Sequence, residues 1–206
     1  MTTAALGGNN FIAPSFEKGA AALRNIIFDG ISWDIANVCN EDLNELWRRL
    51  ESFILESRGR LVDITTNEPT DVTLKPKPGS SGAYFLKTSE GGPGVASFEI
   101  RYKLKDGKLP FFEVVHEVCH AIYHIDELEL MNPESCGDND PLDDQCNFFA
   151  REFFMPAKEF HNLANVAYDW EEEKYNISIV FKYYSDAFSI RQTQVKIRGR
   201  ELGIWT

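Results

Sequence analysis

The sequence has few of the features that mark secreted, disulfide-stabilised or membrane-spanning proteins. Its four cysteines form no CxxC pair and no regular disulfide spacing: Cys39, Cys119, Cys136 and Cys146. No run approaches the roughly 20 apolar residues needed to cross a bilayer. Residues 1–14 lack both the basic start and the apolar stretch of a signal peptide. These absences predict a cytoplasmic protein that does not engage a membrane.

Positive charge is scarce. The chain of 206 residues carries 21 Lys and Arg against 32 Asp and Glu, for a net charge of −11. Binding to phosphate backbones needs clustered cations, so the composition argues against a general nucleic-acid-binding protein. We therefore expect a protein partner or substrate. Nothing in the composition indicates an oligomeric state.

What is present is a helix–sheet–helices pattern. Periodicity and turn residues predict helices over 18–28, 40–59, 110–125, 142–154, 157–170, 177–187 and 191–202, and strands over 61–65, 83–87 and 95–102. Asn40 is the expected cap of the second helix. This order predicts an α+β fold, with a small mixed or antiparallel sheet packed on the helix that contains His116 and a helical C-terminal part.

The same pattern suggests a simple domain organisation. Residues 1–40 are expected to form an N-terminal arm with a short helix. Residues 41–206 are expected to form a single domain, with the sheet at 61–102, the principal helices at 110–155 and a helical tail at 157–204. Strand 95–102 precedes the principal helices, and we expect it to lie at a sheet edge open to an extended peptide.

The segment His116-Glu117-Val118-Cys119-His120 carries the clearest chemical signal. Residues i and i+4 of a helix share one face, so His116 and His120 present two imidazoles to one metal ion. Glu117 lies one position further round, where it reaches a water rather than the metal, as the HExxH motif requires. The motif predicts a zinc site with Glu117 as general base. A chance occurrence is the competing explanation.

A catalytic zinc usually has a third protein ligand. Asp143 begins the next predicted helix, after a loop long enough to bring it back beside His120. Asn147 lies one turn beyond Asp143 and is expected to hydrogen-bond a ligand histidine. The alternative for Asp143 and Asp144 is helix capping at the positive end of the helix dipole.

Taken together, these motifs resemble the ImmA/IrrE family of zinc metallopeptidases, which is gluzincin-like. The family pattern runs HExxHxxxH, ExxANxFAxxLLMP and FxVSxxAVxxRLxxLG. The chain has, in the same order, His116 to His120 with His124, then Asp143, Cys146, Asn147, Phe149, Ala150 and Phe153 to Pro156, then Phe188 to Ile190, Val195, Arg198, Leu202 and Gly203. The resemblance covers about residues 95–205.

The resemblance implies an enzyme that hydrolyses peptide bonds with one Zn²⁺ per chain, and a regulatory role such as cleaving a transcriptional repressor. One departure bears on the third ligand. The family has Glu where this chain has Asp143, so Asp144, Asp140 or a water stays an alternative ligand. Two other functions remain open: a partner-binding or toxin- or phage-associated protein that keeps the fold without cleaving, and a structural zinc site.

Three further features have two interpretations each. His124 lies about 12 Å along a straight helix from His116, too far to share one ion, so we expect it to support the site rather than bind the metal. The cysteines near the motif are Cys119, Cys136 and Cys146. Either they are small buried or inert residues, or one of them supplies a thiolate that occupies the open position of the zinc and keeps the enzyme inactive. The last two helices are either a packed tail or a helix-turn-helix with basic residues Arg191, Lys196, Arg198 and Arg200.

Overall fold

The computed structural model describes residues 15–31, 38–65, 82–88, 97–104, 106–124 and 141–205. Its elements are α1 (Phe16–Ile27), α2 (Asn40–Glu56), β1 (Gly59–Asp63), β2 (Ala83–Thr88), β3 (Ser97–Tyr102), α3 (Phe111–Cys119), a π-helical turn (His120–His124), α4 (Pro141–Phe154), α5 (Ala157–Val166), β4 (Tyr168–Asp169), β5 (Lys174–Tyr175), α6 (Ile177–Phe188) and α7 (Gln192–Glu201). The α+β expectation is confirmed. The division at residue 40 stays a prediction, and residues 1–14 and 32–37 lie outside the described part.

The sheet has the order β1-β3-β2, so its central strand is β3. β1 runs parallel to β3, and β2 runs antiparallel to it with Phe85 opposite Ile100. The expectation that residues 95–102 form an open edge is therefore wrong. Phe98 and Ile100 are buried on β3, as a central position requires, and within the described residues the edge strand beside α3 is β2.

The first two helices pack through apolar residues at helical spacing. Leu46, Leu50 and Ile54 of α2 are buried, as the periodicity predicts. The predicted cap is off by one residue: Cys39 occupies the N-cap position, and the Asp42 carboxylate accepts a hydrogen bond from its backbone N–H at 3.1 Å. The acid in the first turn, rather than the Asn40 side chain, satisfies the exposed backbone donor.

The predicted helix over 157–170 is too long. α5 ends at Val166, and the chain turns into a short hairpin in which Tyr168 pairs with Tyr175. The Asp169 side chain accepts hydrogen bonds from the backbone N–H groups of Glu171 and Glu172 at 3.0 and 3.1 Å. Such local side-chain bonds compete with helix formation, which is why the helical pattern stops here.

The core is rich in aromatic side chains contributed by α3, α4 and α6. Phe111 packs edge-on to Phe154 and Phe188, and Phe153 packs edge-on to Phe154. Each ring buried in this way contributes roughly 1.5–3 kcal/mol before the entropy cost is counted. The packing holds α3 and α4 side by side. His116 lies in α3, His120 begins the π turn after it, and Asp143 lies in α4.

The C-terminal helices pack against this core. Arg198 of the basic set is 1% exposed, and its guanidinium pairs with Glu152 and Glu201 at 2.6 and 3.3 Å. Its charge is therefore used inside the fold and is not presented on the surface. Among the described residues no helix combines the length and the apolar character that a bilayer crossing demands.

Candidate metal centre

His120 is the first residue of the π turn, and His116 lies in the helix before it, α3, which runs through the middle of the fold. Eight of its nine residues are buried, including Val114, Val115 and Val118. The ring centroids of His116 and His120 lie 5.1 Å apart, as expected one turn apart on one face. The α-helical geometry then gives way to a π turn from His120 to His124. Single π turns are rare and often occur at functional sites.

Asp143 brings its carboxylate to both histidines from the first turn of α4. Its Oδ1 lies 3.2 Å from His120 Nε2 and 3.6 Å from His116 Nε2. With tetrahedral bonds of about 2.1 Å to N and O ligands, zinc holds neighbouring ligand atoms about 3.4 Å apart. The donor set of two imidazoles and one carboxylate therefore fits a zinc ion in both chemistry and spacing. The ligand role itself stays a prediction.

The three side chains interact strongly. Hydrogen bonds from His116 and His120 hold the pKa of Asp143 well below its usual range. Burial alone would lower the pKa of His120, but its bond to Asp143, together with Cys146 and Glu117, raises that pKa to about 10. In the metal-free protein the His120–Asp143 pair therefore holds a proton where a cation would otherwise bind.

Glu117 lies beside this group, buried between α3 and β2. Its carboxylate accepts a hydrogen bond from the backbone N–H of Phe85, and burial raises its pKa above the usual range, while His116 and His120 oppose the rise. A carboxylate desolvated in this way is a stronger proton acceptor than one in water. The geometry is compatible with a general base, and that role too stays a prediction.

The nitrogens that face away from Asp143 have their own partners. His116 Nδ1 lies 3.2 Å from Asn147 Oδ1. His120 Nδ1 lies 3.2 Å from His124 Nδ1, and His124 Nε2 lies 3.2 Å from Gln145 Oε1. Partners of this kind orient metal-binding imidazoles. Asn147 and His124 are thus placed where the sequence predicts supporting residues.

Cys146 offers a second donor set. Its sulfur and one nitrogen each of His116 and His120 lie within 4.8 Å of one another. Two observations favour Asp143 as the third ligand. The sulfur lies 3.6 Å from His124 Nδ1, on the side of His120 away from Asp143. Burial also raises the pKa of the Cys146 thiol, whereas metal ligation needs the thiolate.

The other cysteines and acids have different positions. Cys119 and Cys146 are both fully buried, while Cys136 and Asp140 lie outside the described residues. Asp144, the alternative ligand beside Asp143, is exposed, and no pairing with either histidine occurs. Gln145 and Gln194 also contact this region, although no sequence pattern indicates either of them. Gln145 belongs to no motif of its own, and Gln194, distant in sequence, reaches this region through its side-chain bonds to Arg151 and Asn147 of α4.

A helix with two histidines one turn apart, a carboxylate from the following helix and a buried glutamate defines a metallopeptidase-like domain. Residues 111–191 match the family Peptidase_M78, described as the IrrE N-terminal-like domain. The resemblance to the ImmA/IrrE family is therefore confirmed over residues 111–191, which are similar to this peptidase family. The chain has no significant match among curated proteins or among solved structures.

Proposed function

We propose that the protein is a zinc-dependent endopeptidase that uses His116, His120 and Asp143 as ligands and Glu117 as general base. The observation that carries the proposal is the convergence of both Nε2 atoms on one carboxylate oxygen, at 3.2 and 3.6 Å, beside a buried glutamate. A structural site would have no use for a buried base next to its ligands. The family match over residues 111–191 supports the same class.

The chemistry assigns a distinct task to each group. When bound, zinc would act as a Lewis acid toward water and the peptide carbonyl. The Glu117 carboxylate takes a proton from the attacking water and delivers it to the amine that leaves. The Phe85 N–H fixes the orientation of that carboxylate, so the proton is accepted at a defined place. Asp143 also balances the positive charge of the site.

An extended substrate would pair with β2. The Phe85 N–H points from this strand to Glu117, so the outer edge of β2 faces the catalytic helix. A peptide added as a further strand at this edge would place its backbone beside the base. The resemblance further suggests a regulatory protease in the cytoplasm that cuts one particular protein, such as a transcriptional repressor.

The test combines metal analysis with peptide cleavage in four variants. Glu117→Gln should keep about one zinc per chain and lose cleavage by about 100-fold or more, because it removes the base but no ligand. Asp143→Asn should weaken zinc binding, while the matched change Asp144→Asn at the exposed neighbour should not. Cys146→Ala should keep the zinc, because we expect the sulfur to lie outside the ligand set.

Different outcomes point to different alternatives. A wild-type protein without zinc after purification in zinc-containing buffer would overturn the proposal. Loss of zinc in Cys146→Ala with retention in Asp143→Asn would replace the carboxylate by the thiolate. Stoichiometric zinc with no cleavage of any repressor-like or unstructured substrate would favour the alternative function, in which the protein binds a partner and keeps the fold without cleaving.

A further inference from the structure

A chain of hydrogen bonds connects the C-terminal helix α7 to the ligand histidine His116. Arg151 Nη1 donates to Gln194 Oε1 at 2.9 Å. Gln194 Nε2 donates to Asn147 Oδ1 over a longer 3.5 Å, and the same oxygen lies 3.2 Å from His116 Nδ1. These hydrogen bonds thus connect α4 to α7, α7 back to α4, and α4 to α3.

Arg151 fixes which group donates and which accepts in this series of hydrogen bonds. It is 7% exposed, and its other two nitrogens are bound to the carboxylate of Glu201 at 2.6–3.2 Å. A guanidinium only donates hydrogen bonds and stays charged at any pH the protein meets. The Gln194 amide must therefore present its oxygen to Arg151 and its NH₂ group to the other side.

The orientation of each side chain then determines that of the next one. Since the Gln194 NH₂ group faces Asn147, the Asn147 amide presents its oxygen there. That oxygen also faces His116 Nδ1, so Nδ1 must carry a hydrogen. A neutral imidazole with its hydrogen on Nδ1 has its lone pair on Nε2, which is the atom that faces Asp143.

We propose that Arg151 and Gln194 are positioning residues that hold His116 in the tautomer able to bind the metal through Nε2. They touch neither metal nor substrate, and they act through Asn147. The inference rests on the metal site proposed above. It makes α7 part of the machinery of the site, although α7 contributes no ligand.

The decisive variant is Gln194→Glu. The new carboxylate still accepts from Arg151, but it has no hydrogen for Asn147, so two oxygens would face each other. Turning the Asn147 amide over relieves this contact and places its NH₂ group against His116 Nδ1, which favours the tautomer with hydrogen on Nε2. We expect zinc affinity to fall about 10-fold or more, in the range seen when partners of metal ligands are changed. Simple attraction between the added negative charge and zinc predicts the opposite sign.

Gln194→Leu separates positioning from packing. It leaves a buried donor of Arg151 without its acceptor, so this variant should be the less stable of the two in a thermal melt of the metal-free protein. Leucine also removes the donor to the Asn147 oxygen, but it brings no oxygen that would make the Asn147 amide turn over. Zinc affinity should therefore lie between those of the wild type and Gln194→Glu. The two orders are opposite: stability falls most in Gln194→Leu, and zinc affinity falls most in Gln194→Glu.

The control is Gln192→Glu, which adds the same charge at an exposed position of α7 and should leave zinc affinity unchanged. Affinity is measured by competition with a chromophoric chelator. Nitrogen-15 spectra of the metal-free protein report the imidazole tautomers directly, and with four histidines the assignment is tractable.

Each result decides the question. Equal zinc affinity in the wild type and Gln194→Glu would overturn the inference and leave the proposed function standing. A wild type without zinc would overturn both. If Gln194→Glu does not fold, Gln194→Leu must still weaken zinc binding, and an unchanged affinity in that variant would refute the role of Gln194.

Discussion

Single side chains of α4 make most of the contacts to the HExxH histidines. Asp143 faces both Nε2 atoms, Asn147 faces His116, and Gln145 reaches His120 through His124. Sequence spacing was the basis for expecting Asp143 and Asn147 here: Asp143 from the length of the loop after His120, and Asn147 one turn beyond Asp143. It was not sufficient for Gln145 or Cys146, because their approach depends on the rotation of α4 against α3, which core packing sets.

Protons and zinc should compete at His120. Its pKa is raised to about 10 and that of Asp143 is lowered, so the metal-free pair holds a proton at neutral pH. Zinc requires the free Nε2 lone pair, so binding between about pH 6.5 and 9 should release about one proton from this pair. Calorimetric titration with zinc in two buffers of different ionisation enthalpy measures the number released.

The sign of the pH dependence follows. Zinc affinity should fall as pH falls, because the proton on the pair becomes harder to displace. In Asp143→Asn the partner that raises the pKa of His120 is removed, so proton release near pH 8 should decrease. Equal proton release in that variant and the wild type would contradict the pairing.

At the scale of elements, the sequence predicted the type of nearly every helix and strand and misplaced several ends. Helix α5 ends early because the Asp169 side chain bonds to the backbone of the following turn. β3 occupies the centre of the sheet because β1, distant in sequence, pairs with it in parallel. Such long-range pairing leaves no local pattern, so the periodicity of residues 95–102 alone could not distinguish a central strand from an edge.

The junction between α2 and β1 provides a test at this scale. A methyl group at Gly59 would come within 2.9 Å of Ile54 and still closer to the Phe98 ring, both in the core. Gly59→Ala should therefore lower the free energy of unfolding by about 1–3 kcal/mol. Chemical denaturation of the metal-free protein measures the change.

The neighbouring residue serves as the matched control. Arg58 has φ of 64°, a left-handed conformation that glycine adopts without strain. Arg58→Gly should leave the protein equally stable or slightly more stable. A Gly59→Ala protein as stable as Arg58→Gly would show that the junction is loosely packed.

At the scale of the whole molecule, the α+β class followed from the order of the elements, whereas the attachment of the C-terminal helices did not. Their basic residues are compatible with an exposed nucleic-acid-binding surface when the sequence is considered alone. In the structure Arg198 is buried against Glu152 and Glu201, and Arg151 shares Glu201 with it. The carboxylates that neutralise Arg198 come from α4 and α7, so only the assembled fold reveals their pairing.

Glu201 should therefore contribute to global stability. Its carboxylate bonds to two guanidiniums that are 7% and 1% exposed, those of Arg151 and Arg198. Glu201→Gln should lower the free energy of unfolding by about 1.5–3 kcal/mol, because the amide keeps one acceptor oxygen but loses the other acceptor and the negative charge that strengthens the bonds to both guanidiniums. Glu171→Gln, at an exposed position of the hairpin, should change it little. Thermal and denaturant melts of the two proteins give the comparison.

The π turn from His120 to His124 has a consequence for how this segment varies in length. A π turn closes its hydrogen bonds over five residues where an α turn uses four. Removing one residue between the two histidines would let the helix relax to α geometry, and it would leave them three residues apart, still on one face of the helix but with their rings turned relative to each other. We therefore expect a protein shortened by one residue here to keep both histidines on one face and to lose the 3.2 Å approach of their Nδ1 atoms.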